Sequence, residues 1–273
     1  MCINDFDSFK KLTDVVNSIT VKRGPDGFGS QTYAIIIGYL AANHINKKYY
    51  YSDISPITLK NVGVLKNKAD DANGLLKRLM NNLNIKHISS KSKNESCLQI
   101  QLPYACVNQE SFLNDGLQKL RDAWPLTKPE FLDGHHTICI HIRRGNDTNK
   151  NDKHRWLDSG FYESMLKTLF TKYPSSKIHI FCWGDSGLSH IQNENLIIHN
   201  SDGHDFIKDY NALIHADILI VAGSTFSISA AFFNKNLILC SNEIIKFNSP
   251  DSMNCKKAPF PNLWEKNYNE ILK

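Results

Sequence analysis

The sequence predicts an α/β protein built on parallel sheets, and three observations carry that prediction. In the second half of the chain, apolar runs of five or six residues alternate with helical segments, which is the pattern of a parallel sheet covered on both faces. Among these runs, Thr137-Ile138-Cys139-Ile140-His141-Ile142 is apolar and β-branched, and it passes directly into Arg143-Arg144-Gly145-Asn146-Asp147. Near the N-terminus, a strand (Ile19–Lys22), a glycine-rich loop (Arg23–Gln31), a helix (Gln31–Asn46) and a second strand (Lys48–Tyr51) follow in the order of a βαβ unit. Right-handed crossovers turn such an order into a doubly wound domain. Ligands of these sheets bind outside the carboxyl ends of the strands, so the loops after the strands are where functional residues are to be sought.

Composition narrows the classes. At 273 residues the chain is long enough for one large or two small domains, and 41% hydrophobic with 22% charged residues is the balance of a globular protein. No apolar run reaches the length of a membrane span; the longest, around Ala34–Ala42, is broken by Gly38 and by tyrosines. The start MCINDFDSFKK is acidic and mixed, which predicts no signal peptide. The seven cysteines are scattered and contain no C-x-x-C pair, so a reducing, cytoplasmic setting without a disulfide framework is expected. The net charge of +5 is spread along the chain and does not form the concentrated block of a nucleic-acid binder.

In order, residues 1 to 18 predict a helix with Phe6, Phe9, Leu12, Val15 and Val16 on one face. The glycine loop that follows the first strand lacks the Gly-Lys-Ser/Thr ending of a Walker A motif and does not match G-x-G-x-x-G. Gly27 and Gly29 allow either a close backbone approach to a ligand at the helix start or simply a tight turn. Asp70–Leu83 and Ser111–Trp124 read as helices, and the polar stretch Lys86–Asn94 as an exposed loop. The connector from Trp124-Pro125 to His136 marks a domain boundary, giving an N-terminal domain over 1–128 and a C-terminal domain over 129–273.

The second half predicts strands at Thr137–Ile142, Lys177–Cys182, Asn195–His199, Asp217–Val221 and Asn236–Cys240. Between them it predicts helices at Ser159–Tyr173, a short one after Gly187, His204–His215 and one ending at Phe233. Three carboxyl-end loops carry chemistry. In the first, Arg143 and Arg144 offer planar forks of donors suited to a phosphate; the alternative is a pair that salt-bridges to nearby carboxylates. The second holds Asp202, His204, Asp205 and Asp209; Asp209 is either an acceptor for a ribose hydroxyl or guanine edge, or an exposed helix residue. In the third, Ser224, Thr225, Phe226 and Ser227 open a helix, as a phosphate site or as an ordinary N-cap.

These pieces together resemble the α1,2-/α1,6-fucosyltransferase superfamily. His141-Ile142-Arg143-Arg144-Gly145 is similar to its H-x-R-R motif. Asp209 with Ala216-Asp217-Ile218-Leu219-Ile220 is similar to its second motif, and Ser224-Thr225-Phe226-Ser227 to its S-T-F-S motif. Gly27-Phe28-Gly29-Ser30-Gln31 resembles the G-x-G-N-Q loop of the α1,2 enzymes. The resemblance implies a GT-B-like fold of two Rossmann-type domains with a cleft between them. It implies inverting transfer of fucose from GDP-fucose to a hydroxyl of a glycan acceptor, with no metal and no cofactor. Arg143 would contact the donor diphosphate, His141 and Asp209 the nucleoside part, Arg144 and the Ser224–Ser227 loop the donor, and the Gly27–Gly29 loop the acceptor side. The expected donor domain, residues 129–273, has no D-x-D-like motif (the triplet Asp5-Phe6-Asp7 stands at the start of the chain), and Arg143 with helix N-termini can stabilise a leaving GDP in place of Mg²⁺. Two positions depart from the pattern: Asn146 stands where Asp is usual, and Ser30 where Asn is usual. The general base is therefore sought at Asp147 or Asp152, which lie close in sequence to the arginine pair. The competing functions are transfer from another nucleotide sugar and non-catalytic binding of a nucleotide or polyanion.

Overall fold

The computed structural model describes residues 14, 16–21, 27–52, 66–92, 95–100, 116–144, 157–200, 205–240 and 266–267. The helix expected over 1–18 lies outside this set apart from its last few residues. The described residues fall into two units that divide between Pro125 and Leu126, inside the proline-bearing connector and just before the expected boundary at 128/129. Each unit is an α/β structure whose strands pair only in parallel.

The first unit runs β1 (Ser18–Val21), α1 (Phe28–His44), β2 (Lys48–Tyr51), α2 (Lys66–Asn82), β3 (Lys86–His87), β4 (Cys97–Ile100) and α3 (Leu117–Asp122). Its sheet has the order β3-β2-β1-β4. Helix α1 is apolar on nearly every side, and Ile35, Ile36, Leu40 and Ala41 are fully buried, as expected for a helix enclosed by its unit. Gly38 is required there: a Cβ would meet the Tyr49 ring at 2.4 Å. Strand β4 pairs with β1 along its whole length, and the Glu95 carboxylate before it accepts from Tyr50 Oη at 3.0 Å and faces Lys48 Nζ at 3.5 Å. The stretch expected as an exposed loop, Lys86–Asn94, instead begins with β3 and a 3₁₀ turn at Ile88–Ser90. Its polar composition suits a two-residue edge strand that pairs on one side only.

The second unit runs β5 (Thr137–Ile142), α4 (Ser159–Lys172), β6 (Lys177–Cys182), β7 (Leu196–Asn200), α5 (Phe206–His215), β8 (Ile218–Ile220), α6 (Thr225–Phe233), β9 (Leu237–Cys240) and β10 (Lys266–Asn267). The sheet order is β10-β9-β8-β5-β6-β7. The chain thus starts at the centre, winds outward through β6 to β7, returns to the other side of β5 and winds out through β8, β9 and β10. This is the Rossmann order, and its topological switch point lies between β5 and β8. Strand β5 is buried at all six positions, which explains its unbroken apolar run, whereas β7 is an outer edge and leaves Ile197 39% exposed. No helix of the described residues is long and apolar enough to cross a membrane.

The short helix expected after Gly187 does not form. Gly184 (φ +85°) and Gly187 (φ +73°) take left-handed backbone there, and the side chains of Asp185 and Ser186 accept from the amides of Gly187 and Leu188, giving turns instead of helix. The Ser111–Trp124 helix is observed as α3 over Leu117–Asp122, its first part lying outside the described residues.

At the amino end of the second sheet, the Asp217 carboxylate accepts from Thr137 N at 2.8 Å and Thr137 Oγ1 at 3.0 Å. Thr137 is fully buried, so the pair fixes the register of β5 against β8 at the end opposite the carboxyl-end loops. Asp217→Ala leaves a buried amide and hydroxyl without this acceptor, and the expected loss is about 2–3 kcal/mol of unfolding free energy. Urea denaturation at neutral pH checks it, and an unchanged midpoint would remove this role.

Candidate functional site

The switch point brings together the end of β5 and the start of α6. Strand β5 delivers His141 as its penultimate residue, followed by Arg143 and Arg144, both half-buried. Residues 221–224 lead from β8 into α6, where Ser224 caps the helix by accepting from Phe226 N at 3.3 Å. The two loops are tied directly: His141 Nδ1 lies 2.9 Å from Ser227 Oγ, across residues far apart in sequence. The Phe226 ring packs between His141, at 5.4 Å between centroids, and Tyr210 of α5, at 5.1 Å edge-on. Tyr210 in turn donates from its hydroxyl to Ser229 Oγ at 2.9 Å. Strand β5, α5 and α6 therefore hold the His141 ring as one packed group.

Burial, and then the neighbouring Arg143 cation, push the His141 pKa down to about 3. The ring is neutral at physiological pH and presents one N–H and one lone pair. The lasting positive charge of the loop belongs to the guanidiniums.

The two arginines differ in what they do. The Arg144 guanidinium donates to Leu157 O at 2.8 Å and to Ser186 O at 3.1 Å, and lies 5.5 Å from the centre of the Tyr162 ring. Of the alternatives open for the pair, the salt bridge to a carboxylate is not the one Arg144 takes among the described residues; its partners are backbone carbonyls. It anchors the β5 loop to the start of α4 and to the turn after β6. Arg143 stands one residue beyond β5, at the carboxyl end of the strand beside the switch point.

The remaining expected residues are placed as follows. Ser227 is fully buried, so its hydroxyl faces His141 and the backbone, not an open site. Thr225 and Phe226 are half-buried on the first turn of α6. Asp209 is half-buried in the first turn of α5, beside Tyr210, and that turn is capped by Asp205, whose Oδ1 accepts from Ile207 N at 3.1 Å. Gly27 and Gly29 belong to the first unit, at the carboxyl end of β1; Gly27 is the N-cap of α1, makes no side-chain cap, and has open space where a Cβ would sit. Asp147, Asp152, Asp202 and His204 lie outside the described residues. Tyr210, Leu157, Ser186 and Tyr162 were not singled out in the sequence; each is an ordinary core or backbone position, and only the fold reveals that they brace the two loops. Among the described residues no group of three or more His, Cys, Asp and Glu side chains is arranged to hold a metal ion.

No protein-family model and no curated protein matches the sequence. Among solved structures, the chain is similar to POFUT1 in complex with GDP, at 10% identity and a TM-score of 0.43, over 81% of this chain and 95% of that one. It is similar to NodZ α-1,6-fucosyltransferase co-crystallised with GDP, at 12% identity and a TM-score of 0.40, over 78% of this chain and 91% of that one. It is also similar to the E. coli heptosyltransferase WaaC with ADP, at 9% identity and a TM-score of 0.39, over 82% and 86%.

Proposed function

We propose that the chain is a glycosyltransferase that moves fucose from GDP-fucose to a hydroxyl of a glycan acceptor, with inversion and without a metal. The observation that carries this reading is the meeting, at the switch point of a Rossmann-ordered sheet, of a neutral His141, the Arg143 cation and the N-terminus of α6. The positive end of a helix and a guanidinium fork suit a diphosphate. In this reading Arg143 holds the diphosphate and gains strength as charge develops on the departing GDP, which lowers the barrier to transfer. His141 and Asp209 meet the nucleoside part. The backbone at Ser224, Thr225, Phe226 and Ser227 supports the phosphates, while Arg144 keeps the loop in shape. Asp147 or Asp152 takes the proton of the acceptor hydroxyl as it attacks the anomeric carbon. The Gly27–Gly29 loop of the first unit serves the acceptor, and the protein works in the cytoplasm.

Ligand linkage tests the donor. At a hundredfold excess over its dissociation constant a specific ligand adds about 2.7 kcal/mol, and for a domain of this size this raises the melting temperature by roughly 5–10 °C. GDP is expected to produce that shift, with smaller shifts from UDP, ADP and CMP. Equal shifts from all four would remove the guanosine donor. A polyanion-binding module, by contrast, predicts affinity that falls steeply with salt.

A further inference from the structure

We propose that Ser227 is a positioning residue that holds the His141 ring as the tautomer protonated at Nε2, so that Nε2–H donates to an acceptor oxygen of the bound nucleotide. The inference rests on the donor-site reading for its ligand, but its geometry stands on the chain alone.

The argument follows the one proton of the Ser227 hydroxyl. Ser227 Oγ accepts from Ala222 N at 3.1 Å. Its own proton has three acceptors within reach: His141 Nδ1 at 2.9 Å, and Ala222 O and Ser224 O at 3.4 Å each. Both carbonyls already accept closer protons, Ala222 O from Ser224 N at 2.7 Å and Ser224 O from Ile228 N at 3.0 Å. Nδ1 is the nearest acceptor and has no other partner among the described residues, so the hydroxyl donates to it. A neutral imidazole that accepts at Nδ1 carries its proton at Nε2.

Nε2 has no protein partner among the described residues, and His141 remains 9% exposed, so one edge of the ring is left for a ligand. Rotation of the ring is opposed by Phe226, itself backed by Tyr210. The result is a neutral donor with a fixed direction, beside the Arg143 cation. Such an edge selects an oxygen acceptor, either a phosphate oxygen or a carbonyl oxygen of the base, and it leaves a ligand N–H at the same place without a partner. Ser227 is fully buried and touches no ligand, so it acts only through His141.

The test is side-chain ¹⁵N NMR of His141 in the nucleotide-free full chain, compared with Ser227→Ala and Ser227→Thr, together with calorimetric binding of GDP, guanosine and pyrophosphate. The wild type is expected to carry the proton on Nε2, Ser227→Thr to keep it there, and Ser227→Ala to redistribute it between the nitrogens. GDP affinity should fall roughly five- to tenfold in Ser227→Ala, the scale of one hydrogen bond, and recover in Ser227→Thr. A matching loss for pyrophosphate assigns the contact to a phosphate oxygen, and a matching loss for guanosine assigns it to the base. A wild-type proton on Nδ1, a tautomer unchanged in Ser227→Ala, or undiminished GDP affinity in a redistributed Ser227→Ala overturns the proposal. The wild-type spectrum decides the tautomer even where Ser227→Ala does not fold. A wild-type chain with Nε2–H that binds no GDP overturns the donor reading while supporting the tautomer assignment.

Discussion

Arg143→Ala is expected to lower the proposed fucosyl transfer by roughly 100- to 1000-fold, the cost of removing one preorganised donor from a developing charge, while the chain stays folded. The side chain is half-buried and lies beyond the last residue of β5, so its loss leaves the strand pairing of the sheet in place. Arg144→Ala is expected to do the reverse in kind. Its guanidinium holds the carbonyls of Leu157 and Ser186, both at buried residues, and removing it leaves two acceptors without their donor. The expected cost is about 2–3 kcal/mol of stability. Parallel measurement of turnover with saturating donor and of the denaturation midpoint separates the two. Retained turnover in Arg143→Ala removes its place at the diphosphate. Unchanged stability in Arg144→Ala removes its anchoring role. Arg143→Lys should recover only part of the activity, because an ammonium keeps the charge and loses the planar fork.

Much of this arrangement is legible in the sequence because the second sheet is buried where it matters. Strand β5 is covered on both faces, and its six residues are apolar enough for both ends to be read correctly from the sequence. The same holds for β6, while both ends of β7 and β8 and the start of β9 shift by a residue, as strand ends do. The first unit is less legible. Strand β3 has two residues with a polar face, and β4 is a four-residue run, CLQI, with a glutamine at its third position, so neither shows a period long enough to recognise. At the site, the residue types that the chemistry needs stand in plain view: His141, the arginine pair, and the hydroxyl run at the start of α6. What stays hidden is their division of labour. The resemblance already sets Arg143 at the donor diphosphate ahead of Arg144, but only the fold shows that Arg144 is held by the carbonyls of Leu157 and Ser186 and, among the described residues, not by a carboxylate. Ser227 reads as one more hydroxyl at a helix start; its burial and its 2.9 Å contact with His141 depend on β5 and β8 lying side by side.

Stability is expected to fall on mild acidification, before the carboxylates titrate. His141 and His179 are both held neutral in the folded chain. Burial, with Arg143 second, takes His141 down to about 3; burial, with Lys177 and His135 after it, takes His179 down to about 4. His179 also shares a hydrogen bond with His199, Nδ1 to Nε2 at 2.9 Å, inside a group of rings formed by Phe131 and Phe181. That bond exists only while one of the two nitrogens keeps its lone pair. In the unfolded chain each histidine titrates near 6.5, so between that pH and the folded values the unfolded state binds more protons and stability rises with pH. The stabilisation is therefore complete above about pH 6.5 and is lost progressively as the pH falls toward 4 and then 3. From pH 6.5 to 5 the expected loss is roughly 1.5–2 kcal/mol from His141 and somewhat less from His179. Chemical denaturation at half-unit steps across that range measures it, and His141→Gln should flatten the slope. A level profile would mean that neither ring is neutral for the stated reason. Affinity for the nucleoside should behave differently over the same range. Because the folded His141 does not titrate there, Nε2–H keeps donating, and the affinity of the folded fraction for guanosine, which carries no phosphate to titrate, should stay constant while the fold itself weakens.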